Sequence, residues 1–303
     1  MYMRKFLTKN LKKYNQMKMK TKENSIEISV VMSAYNAKKH IKEAIDSIIN
    51  QSFTNFECII VDDGSTDSTK EIIRSYVDDR IVLVENNHDY IGSLNRGIQM
   101  AKGKYIARMD ADDIMHPNRL NIQYKIMETE PSITVCATWM NIIKENTPTR
   151  IYGVDSGLID FPILMFLKRC FISNPSTMIR ADFLRKHRVK YKQQYIYAED
   201  YQFWVEIAMY GGVFYIESQP LLSYRLSPSQ VSQEMNVQQQ LVSIDIRNEL
   251  LDYIIHKNLK KHPEMSTILK EMRKLERQNI ISNRSILDFF HLLFNSNKMT
   301  LQF

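Results

Sequence analysis

Between Ile28 and Asp113, short apolar runs alternate with stretches in which apolar residues recur every three or four positions. Ile28 to Met32 is β-branched and reads as a buried strand. Ile41, Ala44, Ile45, Ile48 and Ile49 fall on one face of a helix. Phe56 to Val61 predicts a second buried strand, and Ser68-x-x-Glu71 predicts a capping box opening a helix through Ile72, Ile73 and Tyr76. Ile81 to Val84 predicts a third strand, Leu94 to Ala101 a helix stopped by Gly103, and Tyr105 to Met109 a fourth strand. Strand and helix in this alternation imply a parallel sheet covered on both faces. Right-handed crossovers then bring the strand ends to one edge, where such sheets bind ligands. Three polar clusters fall there: Ser33-Ala34-Tyr35-Asn36, Asp62-Asp63-Gly64-Ser65, and Asp110 to Asp113.

Further on, Pro117 predicts a helix through Leu120, Tyr124 and Met127, and Ile133 to Trp139 a strand. Residues 144–157 read as a loop, Leu158 to Leu167 as a helix and Ser176 to Ile179 as a strand. A helix from Asp200 to Tyr210 ends at Gly211-Gly212. Val213 to Ile216 and Leu221 to Leu226 read as two short strands. Beyond about residue 232 glycine disappears, and 234–295 reads as two or three helices with lysine-rich faces. The apolar segment Ile286 to Phe294 must pack on the body, on another subunit or on lipid.

Charge changes this picture at one end only. The formal net charge is +7, and residues 1–24 hold eight Lys or Arg against the single acid Glu23. The remainder is near neutral, which argues against a nucleic-acid-binding core. Within 1–24, Met3, Phe6, Leu7, Leu11, Tyr14 and Met17 form a weak helical stripe. Two readings stay open: a basic amphipathic leader lying on an anionic membrane, or a solvated one. No apolar run approaches the ~18 residues of a membrane span, and no secretory signal is recognisable, so a cytoplasmic location is expected. Cys58, Cys136 and Cys170 lie far apart without a C-x-x-C pair, which disfavours a thiolate zinc site. They read as buried small hydrophobes in a reducing compartment.

Asp110-Ala111-Asp112 is a D-x-D pair at the end of an apolar strand. Two carboxylates on a short extended segment suit a hard divalent cation, Mg²⁺ or Mn²⁺, shared with phosphate oxygens. Rival motifs fail on spacing. A calcium loop starting at Asp110 would need Gly at 115 and Glu at 121, where the chain has Met115 and Asn121. A phosphatase D-x-D-G-[ST] would put its nucleophile at Val61. Neither a Walker A loop nor G-x-G-x-x-G is present.

Several segments in order carry a resemblance. Ile28 to Asn36, Ser47 to Ser52 and Ile60 to Asp67 are followed by Leu94-Asn95-Arg96-Gly97, Gly103 to Asp113 and Pro117 to Leu120. Glu199 to Trp204 and Tyr224-Arg225 complete the set. Over roughly residues 26–232 the chain resembles a family 2 glycosyltransferase. That resemblance implies an α/β, three-layer α/β/α GT-A fold. It divides the chain into a basic leader (1–24), a GT-A domain (25–232) and a helical C-terminal extension (233–303).

The resemblance also implies roles. Ala34, Tyr35 and Asn36 would line the nucleotide base pocket, with Tyr35 stacking near the base and Asp63 accepting a hydrogen bond from it. Arg96, with Asn95, would lie near the donor. Asp110 would hold the ribose or assist the metal, and Asp112 would contact the Mg²⁺ or Mn²⁺ that bridges the diphosphate. Asp200 would be the general base, in preference to a mere N-cap of its helix. Asp62 reads as a loop-organising acceptor, and Phe203 and Trp204 as core. The implied reaction is an inverting transfer from a nucleoside-diphosphate-sugar donor to a glycan or lipid-linked saccharide acceptor of a bacterial surface polysaccharide. It would run at the cytoplasmic face of the inner membrane, with peripheral membrane contact and no nucleic-acid partner. The family's frequent His-Pro-Thr is Asn174-Pro175-Ser176 here, and Ser227 stands where a His often follows the Tyr-Arg pair. An inactive nucleotide-sugar-binding module and a nucleotidyltransferase are the alternative readings.

Overall fold

Alternate residues of the central strands feed two different cores. In the computed structural model, which describes residues 25–144, 147, 149–159, 161–226 and 236–296, β1 (Ile28–Ala34), β2 (Phe56–Asp62) and β4 (Tyr105–Asp110) are almost wholly buried. Val30, Met32, Cys58, Ile60, Ala107 and Met109 face one side; Val31, Ile59, Val61 and Ile106 face the other. Side chains on a strand point alternately to opposite faces, so a run apolar at every position requires a cover on each. On one face lie α1 (Ile41–Ile49), α2 (Thr69–Arg74) and α4 (Arg119–Thr129), which contribute Ile45, Ile73 and Leu120. On the other lie α3 (Tyr90–Met100), α5 (Phe161–Lys168), α6 (Ala181–His187) and α7 (Glu199–Met209). The result is the expected three-layer α/β/α arrangement.

With β3 (Ile81–Glu85), β5 (Ile114–Met115), β6 (Ile133–Ile143), β9 (Met178–Arg180) and β10 (Val213–Arg225), the sheet runs in the order β3-β2-β1-β4-β9-β6-β10-β5. β1 pairs in parallel with both β2 and β4, so Ala34, Asp62 and Asp110 end at one rim. Two short strands join the margins: β7 (Arg150–Tyr152) pairs β6, and β8 (Gly157–Ile159) pairs β10. Gly103, between α3 and β4, permits a close approach. A Cβ there would lie 2.5 Å from the Ser29 backbone nitrogen and 2.8 Å from the Ile28 carbonyl carbon. Gly103→Ala is expected to cost about 1–3 kcal/mol, because the backbone of β1 cannot yield as a side chain would. Urea unfolding of that variant checks this.

Several local expectations are corrected. Leu158 to Leu167 is not one helix, since β8 precedes α5, and β7 lies within the expected loop. The two strands expected after Gly212 are one, because bulges around Glu217 to Leu222 let β10 stay paired with β6. Ser68 makes no capping bond. Asp67 does that work: its Oδ1 accepts from Thr69 N and Thr69 Oγ1, and its Oδ2 accepts from Lys38 N. The helix expected from Leu94 starts at Tyr90, because Asp89 caps it by accepting from Gly92 N.

At the C-terminal end, α8 (Asn236–Lys257), α9 (Pro263–Arg277) and α10 (Asn283–Asn295) share the core under α5 and α7. Ile286, Leu287, Phe290 and Phe294 are buried, and the Phe294 ring meets Phe166 at 5.4 Å. The apolar tail segment therefore packs on the body. Among the described residues, no helix is long and apolar enough to cross a membrane. Residues 1–24, and with them the leader stripe, lie outside the described residues, as does Ser227. Cys58 and Cys136 are buried and Cys170 is exposed, none in a disulfide.

Candidate active site

The alternation of β4 decides what lies beneath the rim. Tyr105, Ala107 and Met109 turn into the core under α1 and α4, which leaves Ile106, Arg108 and Asp110 for the opposite face. Arg108 is only 1% exposed. Its guanidinium donates to the Val31 carbonyl at 2.8 Å and approaches Asp110 Oδ1 at 3.6 Å. After β4 the chain turns through Asp110 to Asp113, and Arg225 at the end of β10 clamps that turn. Its backbone N–H donates to Asp113 Oδ1 (2.9 Å), its Nε to the Asp112 carbonyl (2.8 Å) and its terminal nitrogen to Glu43 Oε2 (2.6 Å). The bulged course of β10 is what delivers Tyr224-Arg225 here.

The second acidic pair comes from the first turn of α7. The N-cap of that helix is Ala198, so Asp200 lies inside the first turn and is not its cap. Asp200 Oδ1 and Glu199 Oε2 are buried and have no hydrogen-bond partner among the described residues. Glu199 Oε1 accepts from the Tyr90 hydroxyl at 3.2 Å, which joins the starts of α3 and α7. A helix N-terminus favours negative charge, which partly offsets the crowding.

Electrostatics tie the two segments together. Burial, then the charges of Glu199 and Asp110, hold the Asp200 carboxyl well above the ordinary carboxylate range, and Arg108 opposes them. Burial and the neighbouring Asp110 push Asp112 up to about 6. Asp113 is raised by burial and by Asp110 and Asp112. The Tyr224 phenol is raised by burial and by the charges of Asp110, Asp113, Asp112 and Asp200. One ring thus senses four carboxylates from two segments some ninety residues apart. Asp110 and Asp112 are partly open to solvent, whereas Asp113 is buried.

The residues expected near the nucleotide occupy the neighbouring rim. Tyr35 is exposed and packs against His88 with ring centroids 4.4 Å apart. Ala34 is buried, and its carbonyl accepts from Asp63 N. Asn36 adopts φ 47° and holds the following loop through Thr66 N, 2.9 Å from its Oδ1. Asp63 Oδ1 organises the start of α3, accepting from Ser93 Oγ (2.7 Å) and Asp89 N (2.8 Å), while Oδ2 lies 3.7 Å from His88 Nδ1. Asp62 accepts from Ser65 N. Asn95 bonds both the N–H and the carbonyl of Tyr191, and Arg96 projects to the surface. Asn174 is buried and accepts from the Tyr191 hydroxyl at 3.1 Å. Phe203 and Trp204 are fully buried.

Three participants were missed in sequence: Arg108, Tyr90 and His88. Arg108 left a signal, a lone cation in the run Tyr105-Ile106-Ala107-Arg108-Met109. Tyr90 and His88 left none, since each matters only through a contact across the fold.

The donor set suits a hard divalent ion. The oxygens are carboxylate, they exceed the nearby cations, and Asp113 Oδ2 and Asp200 Oδ1 lack partners among the described residues. Among the described residues, no three His, Cys, Asp or Glu side chains form a complete metal cage. An ion at Asp110 and Asp112 would therefore complete its shell with phosphate oxygens and water.

A doubly wound sheet whose rim carries a D-x-D turn facing a carboxylate-bearing helix defines a GT-A transferase. The model of Glycosyl transferase family 2 matches residues 29–188, and the chain belongs to that family of glycosyltransferases. It is 36% identical over 249 residues to an uncharacterized glycosyltransferase of Haemophilus influenzae, covering 78% of this chain and 76% of the relative. It is 35% identical over 187 residues to the Escherichia coli UDP-Glc:alpha-D-GlcNAc-diphosphoundecaprenol beta-1,3-glucosyltransferase WfaP, covering 61% of this chain and 71% of that enzyme. The fold is similar to Staphylococcus aureus TarS 1-349 in complex with UDP, with TM-score 0.62 and 17% identity over 85% of this chain and 73% of that one.

Proposed function

We propose that this glycosyltransferase moves a sugar from a nucleoside-diphosphate donor to an acceptor hydroxyl with inversion, using Asp200 as general base. The D-x-D turn at the end of β4, with Arg108 beside Asp110, and the buried, unpartnered Asp200 oxygen at the start of α7 carry this reading among the described residues. Tyr35, Asn36 and Asp63, at the ends of β1 and β2, would take the base, and the exposed Arg96 on α3 would serve the donor. Asp112, with Asp110, would hold a Mg²⁺ or Mn²⁺ ion, which when bound acts as a Lewis acid on the leaving diphosphate. Asp200 takes the proton of the acceptor hydroxyl as its oxygen bonds the anomeric carbon. The bond from that carbon to the diphosphate breaks, and the electron pair leaves with the nucleoside diphosphate. Arg108 and the α7 N-terminus favour the ionised form of Asp200, while burial keeps it basic enough to accept a proton.

The relative acting on a GlcNAc-diphosphoundecaprenol acceptor supports a lipid-linked saccharide acceptor here, and with it a role in surface-glycan assembly at the cytoplasmic membrane face. The test is a panel of UDP-, GDP- and dTDP-sugars with Mn²⁺, read by release of nucleoside diphosphate. One donor is expected to be turned over, and EDTA to stop it. At a hundredfold excess over its dissociation constant, Mn²⁺ with the matching diphosphate should add about 2.7 kcal/mol of stability. Asp112→Asn should lose most of that gain. A thermal shift unchanged by Asp112→Asn would remove Asp112 from the metal site.

A further inference from the structure

Away from the acidic rim, a second site lies between the end of α8 and the length of α9. It is a cleft of about 440 Å³, within the usual range for small-molecule sites. Ile255, Leu259 and Leu269 make its apolar wall; Lys270, Arg273, Arg277 and Asp252 are its charged groups. The three cations are not equivalent. Arg273 is committed to the scaffold: it bonds Asn248 at 2.7 Å, Asn283 at 3.0 Å and Glu276 at 3.1 Å, tying α8 and α10 to α9. It also stands as the countercharge to Asp252. Lys270 and Arg277 make no ion pair or hydrogen bond among the described residues. They are seven positions apart, which places them two turns apart on one helix face, roughly 10 Å along the axis.

Two exposed cations that the fold does not use, flanking an apolar wall, match an anion attached to a hydrocarbon. We propose that this cleft binds the phosphate of an anionic lipid. Lys270 supplies a point charge and Arg277 a planar fork to the phosphate oxygens. Leu269 and the 43% exposed Leu259 receive the first carbons of the chain. The end of α8 and the turn after it add Lys257, Lys260 and Lys261, exposed, adjacent in sequence to the cleft residues His256 and Leu259, and suited to a negative membrane surface. Inorganic phosphate would satisfy the cations but leave Leu259 uncovered. The site is independent of the transfer chemistry proposed above.

The experiment uses the full chain with phosphatidylcholine vesicles, with and without phosphatidylglycerol. Binding is read by co-sedimentation, and local protection by hydrogen exchange over 252–277, which residues 1–24 cannot mimic. Phosphatidylglycerol should protect α9 in the parent. The K270E/R277E variant should lose that protection and bind roughly tenfold more weakly. K270R/R277K, which keeps both charges, should retain protection. All three proteins should melt alike and hydrolyse donor alike, since neither position is buried. Equal protection of α9 in the parent and in K270E/R277E overturns the proposal. So does protection by inorganic phosphate alone that matches the vesicles, which would make the site one for free phosphate.

Discussion

Asp200→Asn is expected to lower sugar transfer by roughly 10²- to 10⁴-fold, the usual contribution of a positioned general base. The same variant should melt no lower than the parent. Asp200 Oδ1 has no partner to lose among the described residues, and the carboxyl is raised by burial, Glu199 and Asp110. A group raised in the folded state contributes its full stability below its unfolded pKa and loses it as pH rises through the folded value. Above the range in which free aspartate ionises, the raised Asp200 carboxyl therefore opposes folding, and the neutral amide removes that opposition. Any stability gap in favour of Asn should widen as pH rises above ~4 and close toward it, where free aspartate takes up its proton. Transfer rates and melting curves across that range check both halves. Turnover near the parent's would exclude Asp200 as the base, and a much lower melting temperature would mark a structural role.

Arg119→Ala is expected to cost about 3–5 kcal/mol of folding stability, enough to leave much of the protein unfolded at 37 °C. Arg119 is fully buried on α4. It donates to the Arg108 carbonyl at 3.0 Å, the Thr177 carbonyl at 3.1 Å and Gln123 Oε1 at 3.0 Å. Gln123 in turn donates to the Cys136 and Ser176 carbonyls. This network joins the end of β4 to the approach of β9, where the pure parallel order of the sheet breaks. Alanine would open a cavity, take from the Arg108 carbonyl its side-chain donor and leave the Thr177 carbonyl only the Arg108 N–H, and would remove a positive charge that steadies Asp110 and Asp113. Burial draws the Arg119 guanidinium down to about 9, so the charge is held at a cost. Removing the charge alone is therefore not the damaging step; the lost donors and the cavity are. Arg119→Lys, which keeps one donor, should lie between the two. Denaturant unfolding orders the three, and a loss under 1 kcal/mol for alanine would show that water replaces the network.

The two Arg residues mark the limit of what the amino-acid order discloses. Arg108 stands in an otherwise apolar strand, whereas Arg119 opens a helix among polar neighbours, Asn118 and Asn121. The type of Arg108 announces a buried charge but not the carbonyl that receives it, and Arg119 announces neither. His88 and Tyr90 announce nothing, because their partners Tyr35 and Glu199 are 53 and 109 residues away in sequence.

Local periodicity alone determined the first four strands, the helices between them and the rim at which Ala34, Asp62 and Asp110 end. Those features depend on which neighbours along the chain are apolar, and burial on both faces enforces them whatever follows. The tertiary structure decided the rest. It settled that β10 is one bulged strand carrying Arg225 to the Asp110–Asp113 turn, that the start of α7 faces that turn, and that the apolar tail packs under α5. These outcomes turn on contacts between distant segments, whose geometry is set by which surfaces close together and exclude water, and no local pattern encodes that.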